Sequence, residues 1–382
     1  MTTIGDVAKA AGVSVATVSR ALRGVDRVSP RTRERVMAAA ADLHYVASPA
    51  ATSLVSGRTR GIGVITPYFS RWFFATVITG IEKALREEGY HVLLCDLEGH
   101  TFDTRLPITQ NMLWKRADGV IILNVPPEPD ERDLLDRLGM PVVTVGNRQP
   151  GWPSVRIDDQ AAMAMATEYA IGLGHTRIGY AGTVPTSVSH LQTPFDRRQA
   201  FMDVMASHGL PVRPEWTLRC DWTADGAAEH ADRLFAGTDR PTCVVAASDE
   251  MAFGIMSAVR HHGLDVPHDV SVIGIDDHVH SRTLDLTTVR QDVEALGRHA
   301  GAIMLATLHG HEVSPSHDEV LGVELVVRGS TAPPAVPPAS APPDRTPATD
   351  VKPTDVKPTD AKPKGVPARA RGRVVPESLG VS

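Results

Sequence analysis

Residues 3–23, TIGDVAKAAGVSVATVSRALR, leave little freedom in how they can fold. Thr3 followed three residues later by Asp6 reads as a helix N-cap with an acidic N3 residue, close to a capping box. Ile4, Val7, Ala8 and Ala11 then recur at helical spacing, so one face is apolar. Gly12 ends the helix, because glycine takes the left-handed conformation cheaply. Ser14 caps a second helix two residues on, and Val18, Ala21 and Leu22 give it a buried face. Two short helices joined by a tight glycine turn are a helix-turn-helix.

The other face of the second helix points to a ligand. Val15, Ala16, Thr17, Ser19 and Arg20 project outward near its N-terminus, where a recognition helix meets base edges. Exposed Val and Ala suit thymine methyl groups in a major groove better than water. Arg20 can reach guanine O6 and N7 as a bidentate donor. Thr3, Ser14, Arg23, Ser29, Thr32 and Tyr45 are the candidate phosphate contacts around it. The plainer alternative is a generic three-helix module with stray apolar residues on its surface.

Three further stretches narrow the reading. Ser29-Pro30 caps a third helix through Val36, Ala40 and Leu43, with Pro tolerated at N1. Tyr45 follows, and Ala50–Arg60 leads into the apolar run Gly61–Thr66. Together, D-V-A-x-x-A-G-V-S-x-x-T-V-S-R, V-S-x-x-T-R, L-x-Y and S-L-x-S-G-R-T-R closely resemble the lactose/galactose repressor family of bacterial transcription factors. The resemblance extends from residue 2 to about residue 331. Within a hinge-and-linker segment, residues 48–60, it implies a short hinge helix that folds on the operator and wedges a leucine into a minor-groove base step; a plain linker is the alternative. Leu54 matches that leucine and Ala51 its small neighbour. Ala47 and Ser48 depart from the usual Pro-Asn, and Thr52 stands where Arg is frequent.

Charge is unevenly distributed. Residues 1–60 hold nine Lys/Arg against four Asp/Glu, and residues 332–382 hold eight against five, in a chain whose formal net charge is −6. The stretch between them is strongly acidic, so attraction to a polyanion is confined to the head. No run of eighteen apolar residues exists and the N-terminus reads as a capped polar helix, so signal-peptide and membrane-span readings fail. Cys95, Cys220 and Cys243 are isolated and lack metal spacing; buried reduced thiols and a cytoplasmic location are expected.

From residue 61 apolar strand candidates alternate with helical segments. The strands are Gly61–Thr66, His91–Cys95, Gly119–Leu123, Val142–Val145, Ile178–Ala181, Cys243–Ala246 and Val272–Ile275, and the helices include Phe74–Glu88, Ala161–Gly172 and Met251–His262. Near-continuous apolar strands between helices imply parallel sheets covered on both faces. The expected fold class is α/β, an all-α helix-turn-helix head (1–47), a hinge (48–60) and a two-lobed body (61–331). That body resembles type I periplasmic sugar-binding proteins, in which the chain crosses between lobes, here near Val145–Asp158, Thr287–Val293 and Leu321.

Ligands of open α/β sheets sit beyond the carboxyl ends of strands. Those ends supply Arg71, Phe73 and Phe74 in an aromatic cluster that matches the family's D-x-S-N-P-F-F motif, with Arg71 and Trp72 replacing Asn-Pro. They also supply Asn124, the Asp158-Asp159 pair, Trp222 beside Asp221, Asp249, Asp276 and Gln291. Arg197 opens R-R-Q-A-F, resembling the family's R-x-x-G-F, whose arginine commonly grips effector hydroxyls or a carboxylate. Aromatic faces with Asp, Asn and Arg suit a sugar. Singly, Asp249 could cap a helix, Trp222 could be core and Arg197 could pair with a surface acid.

Gly61-Ile-Gly lacks dinucleotide-site spacing, and no Ser-His-Asp, H-E-x-x-H or paired-Cys arrangement is visible. His175 resembles the family's structural G-H-x-x-I turn and is not counted as a base or ligand. Residues 332–382 repeat T-D-V-K-P and cannot bury enough apolar surface to offset chain entropy, so a disordered tail is expected. The expectation is a homodimeric, sugar-controlled transcriptional repressor on pseudo-palindromic operator DNA, without cofactor, metal or membrane partner. The rivals are a sugar-binding module without regulatory role and an α/β enzyme.

Overall fold

A computed structural model describes residues 2–22, 28–46, 57–98, 105–183 and 192–335. The head is α1 (Ile4–Ala11), α2 (Val15–Leu22) and α3 (Pro30–Asp42). Thr3 accepts from the Asp6 backbone N–H while the Asp6 side chain accepts from Thr3, completing the capping box. Gly12 takes φ 62° and ψ 40°, and its N–H returns to the Ala8 carbonyl. The turn lets Val7, Ala8 and Ala11 meet Val18 and Ala21 of α2 and Val36 and Ala40 of α3 in one small core.

The body holds two six-stranded sheets. The first has order β11-β5-β4-β3-β1-β2 and is parallel throughout; the second has order β12-β10-β9-β8-β6-β7, with only β12 antiparallel. The strands are β1 (Gly61–Thr66), β2 (His91–Asp96), β3 (Gly119–Leu123), β4 (Val142–Val145), β5 (Ser154–Ile157), β6 (Ile178–Gly182), β7 (Thr217–Arg219), β8 (Cys243–Ala246), β9 (Ser271–Asp276), β10 (Thr287–Gln291), β11 (Asp318–Leu321) and β12 (Val323–Val326). The helices between them are α4 (Trp72–Glu87), α5 (Gln110–Leu113), α6 (Pro129–Leu138), α7 (Asp159–Gly172), α8 (Gln192–Ser207), α9 (Ala224–Phe235), α10 (Asp249–His261) and α11 (Val293–Leu308). The seven strands read from their apolar runs are all present within a residue or so at each end. Strands β5, β7, β10, β11 and β12 were not recognisable as apolar runs: they are four or five residues or fewer, and polar side chains such as Thr287, Thr288 and Arg290 interrupt them.

The chain passes from the first lobe to the second at Asp158, between β5 and α7. It returns at Asp292, since β10 lies in the second sheet while α11 packs on α4 and on β3–β5 of the first. It leaves again at Gly322, the single residue between β11 and β12. Glycines make the α4–α11 contact possible. A Cβ on Gly80 would stand 2.1 Å from the Glu294 carbonyl, and one on Gly297 2.0 Å from that of Val77.

Hydrogen bonds fix both ends of the body. The linker is anchored before the first strand: the Asp118 carboxylate accepts from the Thr59 N–H and hydroxyl, both at 2.7 Å, and from the Arg60 N–H at 2.9 Å. At the other end the body runs past residue 331, because Ala332 accepts from His175 Nε2 and Ser271 Oγ and donates back to Ser271. His175, bonded also to Thr242 Oγ1, is a structural pin whose pKa burial lowers. The three cysteines are buried free thiols with pKa raised by burial, that of Cys220 to about 12. None of the helices described is long and apolar enough to cross a membrane.

Candidate nucleic-acid interface and interlobe cleft

The head presents the surface its sequence implied. Val15, at 47% exposure, Ala16 and Arg20 are exposed, and Thr17 and Ser19 are half-buried beside them. Ser14 Oγ accepts from the Thr17 N–H and sits 2.9 Å from the Thr17 hydroxyl; Ser29 and Thr32 repeat the arrangement at 2.8 Å. Each pair satisfies a helix N-terminus while leaving one of two hydroxyl protons for an outside acceptor, at the positive end of a helix where an anion is favoured. Thr3 fits less well. Its hydroxyl donates to Asp6, whose pKa is held down by the Thr3 N–H and hydroxyl, so a carboxylate occupies the place a phosphate would need. Tyr45 is half-buried against the head core. Arg23, Ala51 and Leu54 lie outside the described residues.

The carboxyl ends of β1, β3, β4 and β5 face those of β6, β8 and β9 across a cavity of about 320 Å³, in the range of small-molecule pockets. Arg71, Phe73, Phe74, Asn124, Arg197, Trp222, Asp276 and Gln291 all line it, as the strand ends implied. Arg197, from the inner face of α8, is 4% exposed and is held from three sides. Its Nε donates to Asp159 Oδ1 at 2.7 Å, with Nη2 in ion-pair contact with the same oxygen, its Nη1 donates to the Ala247 carbonyl, and Asp276 Oδ1 lies 3.9 Å away. Thr193 donates to the second Asp159 oxygen and Gln291 Nε2 to Asp276 Oδ1 at 2.6 Å. Burial pushes the Asp276 carboxyl up despite Arg197.

The backbone is unusual at the same place. Asp276 has φ 133° and Asn124 φ 48°, conformations that cost energy in non-glycine residues and gather at functional sites. Gly146, beside Asn124, has φ 84°, the left-handed conformation that favours glycine, and a Cβ there would also push the Asn124 amide aside. The side-chain oxygens of Asn124 and Asn147 are buried at the cavity wall without a hydrogen-bond donor.

Asp249 does not belong to this wall. It is wholly buried and accepts from the His278 N–H at 2.8 Å, Ser281 Oγ at 2.5 Å and Thr288 Oγ1 at 2.6 Å, so its carboxylate ties α10 to β9 and β10. Ser248 caps α10, and Glu250, the residue after Asp249, reaches the cavity. Asn147 and Glu250 were absent from the residues singled out as ligand-binding, and Asp159 was noted only as half of the Asp158-Asp159 pair. The Asp-Asp pair at the crossover was a usable signal for Asp159; Asn147 and Glu250 become visible only once the lobes are placed.

Residues 3–48 match the model for bacterial regulatory proteins of the lacI family, and residues 167–331 that for a periplasmic binding protein-like domain. The transcriptional repressor CytR of Escherichia coli K12 is 32% identical over 335 residues, spanning 86% of this chain and 96% of that protein. The chain belongs to the LacI family. The repressor PurR of Photobacterium profundum is 33% identical over 310 residues, 80% of this chain and 91% of that protein. Among solved structures, the Lac repressor dimer bound to operator and the anti-inducer ONPF aligns with TM-score 0.76 at 27% identity, covering 87% of this chain and 99% of that one. A complex of the transcriptional regulator CelR with cellobiose aligns with TM-score 0.63, also at 27% identity, covering 86% and 100%. This LacI-family chain is thus a DNA-binding transcriptional regulator with a ligand-binding body, and both rival readings fall.

Proposed function

We propose that the chain acts in the cytoplasm as a homodimeric repressor on a pseudo-palindromic operator, controlled by an uncharged, hydroxyl-rich effector, a sugar or glycoside, in the interlobe cleft. Val15, Ala16, Thr17, Ser19 and Arg20 read bases, and Ser14, Thr17, Ser29 and Thr32 hold phosphates. The relatives support this: one solved neighbour is complexed with cellobiose, another with operator DNA as a dimer.

The charge balance of the cleft carries the effector class. Arg197 lies against Asp159 and Asp276, and Arg105 is paired with Glu131 at 2.6 Å. Arg71 stacks on Tyr68 at 4.2 Å and its charge acts on Glu250, whose pKa burial raises. A phosphate or carboxylate entering this wall would displace an existing pair. Hydroxyl groups instead donate to the Asn124 and Asn147 oxygens, while Phe73, Phe74 and Trp222 offer faces to C–H groups.

Calorimetric titration with neutral mono- and disaccharides and their phosphorylated counterparts, followed by gel shift on DNA upstream of the protein's own gene, tests both halves. A neutral sugar that changes operator affinity is the expected result. Preference for a phosphorylated sugar over its neutral parent would overturn the assignment of class.

A further inference from the structure

We propose that the C-terminal ends of α9 and α10 form a binding site for a zinc-class divalent transition-metal ion, held by Asp232, His261 and His262. Among the described residues this trio alone offers three metal-ligating side chains whose donor atoms all lie within 4.8 Å of one another. Asp232 Oδ1 is 3.2 Å from His261 Nδ1 and 3.2 Å from His262 Nε2. Donors bound tetrahedrally at about 2.0–2.1 Å from zinc stand about 3.4 Å apart. Two of the three edges of such a site are therefore already close to their bound length.

The direction of the lone pairs is the second observation. His262 Nε2 is shut off from solvent and makes no hydrogen bond, although a carboxylate oxygen lies at hydrogen-bonding distance. The nitrogen therefore does not point along the line to Asp232. His261 Nδ1, by contrast, is hydrogen-bonded to Asp232 Oδ1 at 3.2 Å, so it is the His262 nitrogen whose lone pair is left for a third point, as in a metal ligand. Two charged His–Asp ion pairs on this one carboxylate oxygen would set two imidazolium rings side by side, with centroids 5.3 Å apart, whereas neutral rings would leave His262 Nε2 without a partner. One dication satisfies the same three groups without that repulsion.

The ligand set selects the class. Imidazole nitrogens favour zinc, nickel or copper over magnesium and calcium, which prefer oxygen. Water completes the coordination. His261 and Asp232 are exposed enough to turn toward the ion, with side-chain exposures of 74% and 43%, whereas His262, at 25%, is the fixed ligand. The site is independent of the cleft in chemistry but not in its elements. Helix α9 follows Asp221 and Trp222, and α10 begins at Glu250's turn, so the ion clamps the far ends of two helices that start at the cavity wall.

The test uses the full chain, stripped with chelator and titrated with Zn2+ by calorimetry, beside His262→Gln and Asp232→Asn. The chain has 16 histidines, so the quantity that decides is the difference between parent and variants, not total uptake. Expected is one fewer bound zinc per chain in each variant, and a zinc-dependent rise in Tm that the variants lack. Unchanged Tm without zinc shows that the variants are folded; should His262→Gln fail there, the more exposed His261→Gln takes its place. Equal stoichiometry in parent and variants, or no zinc-dependent Tm shift in the parent, overturns the site.

Discussion

Single side chains divide here into those that fold the molecule and those that face outward to be used. Arg20 is of the second kind: it is exposed on α2, and loss of a bidentate base contact costs about 1–3 kcal/mol. Arg20→Ala should weaken binding to specific operator about tenfold or more, with a smaller loss on random DNA. Equal losses in gel shifts on the two DNAs would make Arg20 a phosphate contact. Arg197 belongs to both kinds. Its sequence motif resembled an effector-gripping arginine, yet in the fold it also pairs with the buried Asp159 carboxylate and lies beside Asp276. Removing one partner of a buried pair costs roughly 3–5 kcal/mol, so Arg197→Ala should lower Tm sharply as well as abolish the response. Asn147→Ala is the cleaner probe. Its side-chain oxygen has no donor, so Tm should hold while effector affinity measured by calorimetry falls about tenfold, the worth of one good hydrogen bond to a buried group. Unaltered affinity would remove Asn147 from the site. What was legible at this level were residues at strand ends with an aromatic or motif signature. Asp249 sits at such an end too, but sequence position cannot say whether a carboxylate turns outward to the cleft or inward to Ser281 and Thr288.

Elements were read most securely where burial is continuous. β1, β3, β8 and β9 are buried along their whole lengths, which writes an unbroken apolar run into the chain, and all of them were found from it. β7, with three residues, and β11, half-exposed at the sheet edge, leave no such trace. The same holds for helix contacts. Nothing in the spacing of Gly80 and Gly297 marks them out, yet they let α4 and α11 approach until each backbone meets the other. A methyl at position 297 would fall 2.0 Å from the Val77 carbonyl and 2.8 Å from the Ile81 nitrogen, neither of which can rotate away. Gly297→Ala gains about 1 kcal/mol of helix propensity, but overpacking costs typically 1–3 kcal/mol or more. Chemical denaturation should show a net loss, with Gly172→Ala, which meets nothing within 4 Å and should be no less stable than the parent, as the comparison. A variant as stable as the parent would mean that the two helices can part without penalty.

For the whole molecule, chain end and lobe contact both make predictions. The body closes on Ser330 and Ala332, whose hydrogen bonds reach Val272, Thr287, Ser271 and His175. Truncation after Ala335 should therefore leave Tm unchanged, while truncation after Gly329 should strand several buried polar groups at about 1–3 kcal/mol each; equal melting of the two would refute that closure. The lobes meet again where the Trp72 ring, from the first, packs tilted against His278, from the second, with centroids 4.6 Å apart. Phe253 and His280 complete the cluster, and the His280 N–H donates to His278 Nδ1. Burial, with His280 nearby, lowers the pKa of His278 from 6.5 to about 4. Between those values the unfolded chain binds a proton that the folded one refuses, so this contribution is complete above about pH 6.5 and is lost as pH falls toward 4. Asp249 and Asp276 act in the opposite sense: their raised pKa values let the folded chain take up protons as pH falls, which favours it over the same interval. A melting curve of the parent alone mixes the two effects, and only a comparison separates them. His278→Asn keeps an acceptor for the His280 N–H and removes the titrating ring. Its Tm should fall less than the parent's between pH 7 and pH 4.5, and parallel losses in the two proteins would show that the packed imidazole does not couple lobe contact to protons.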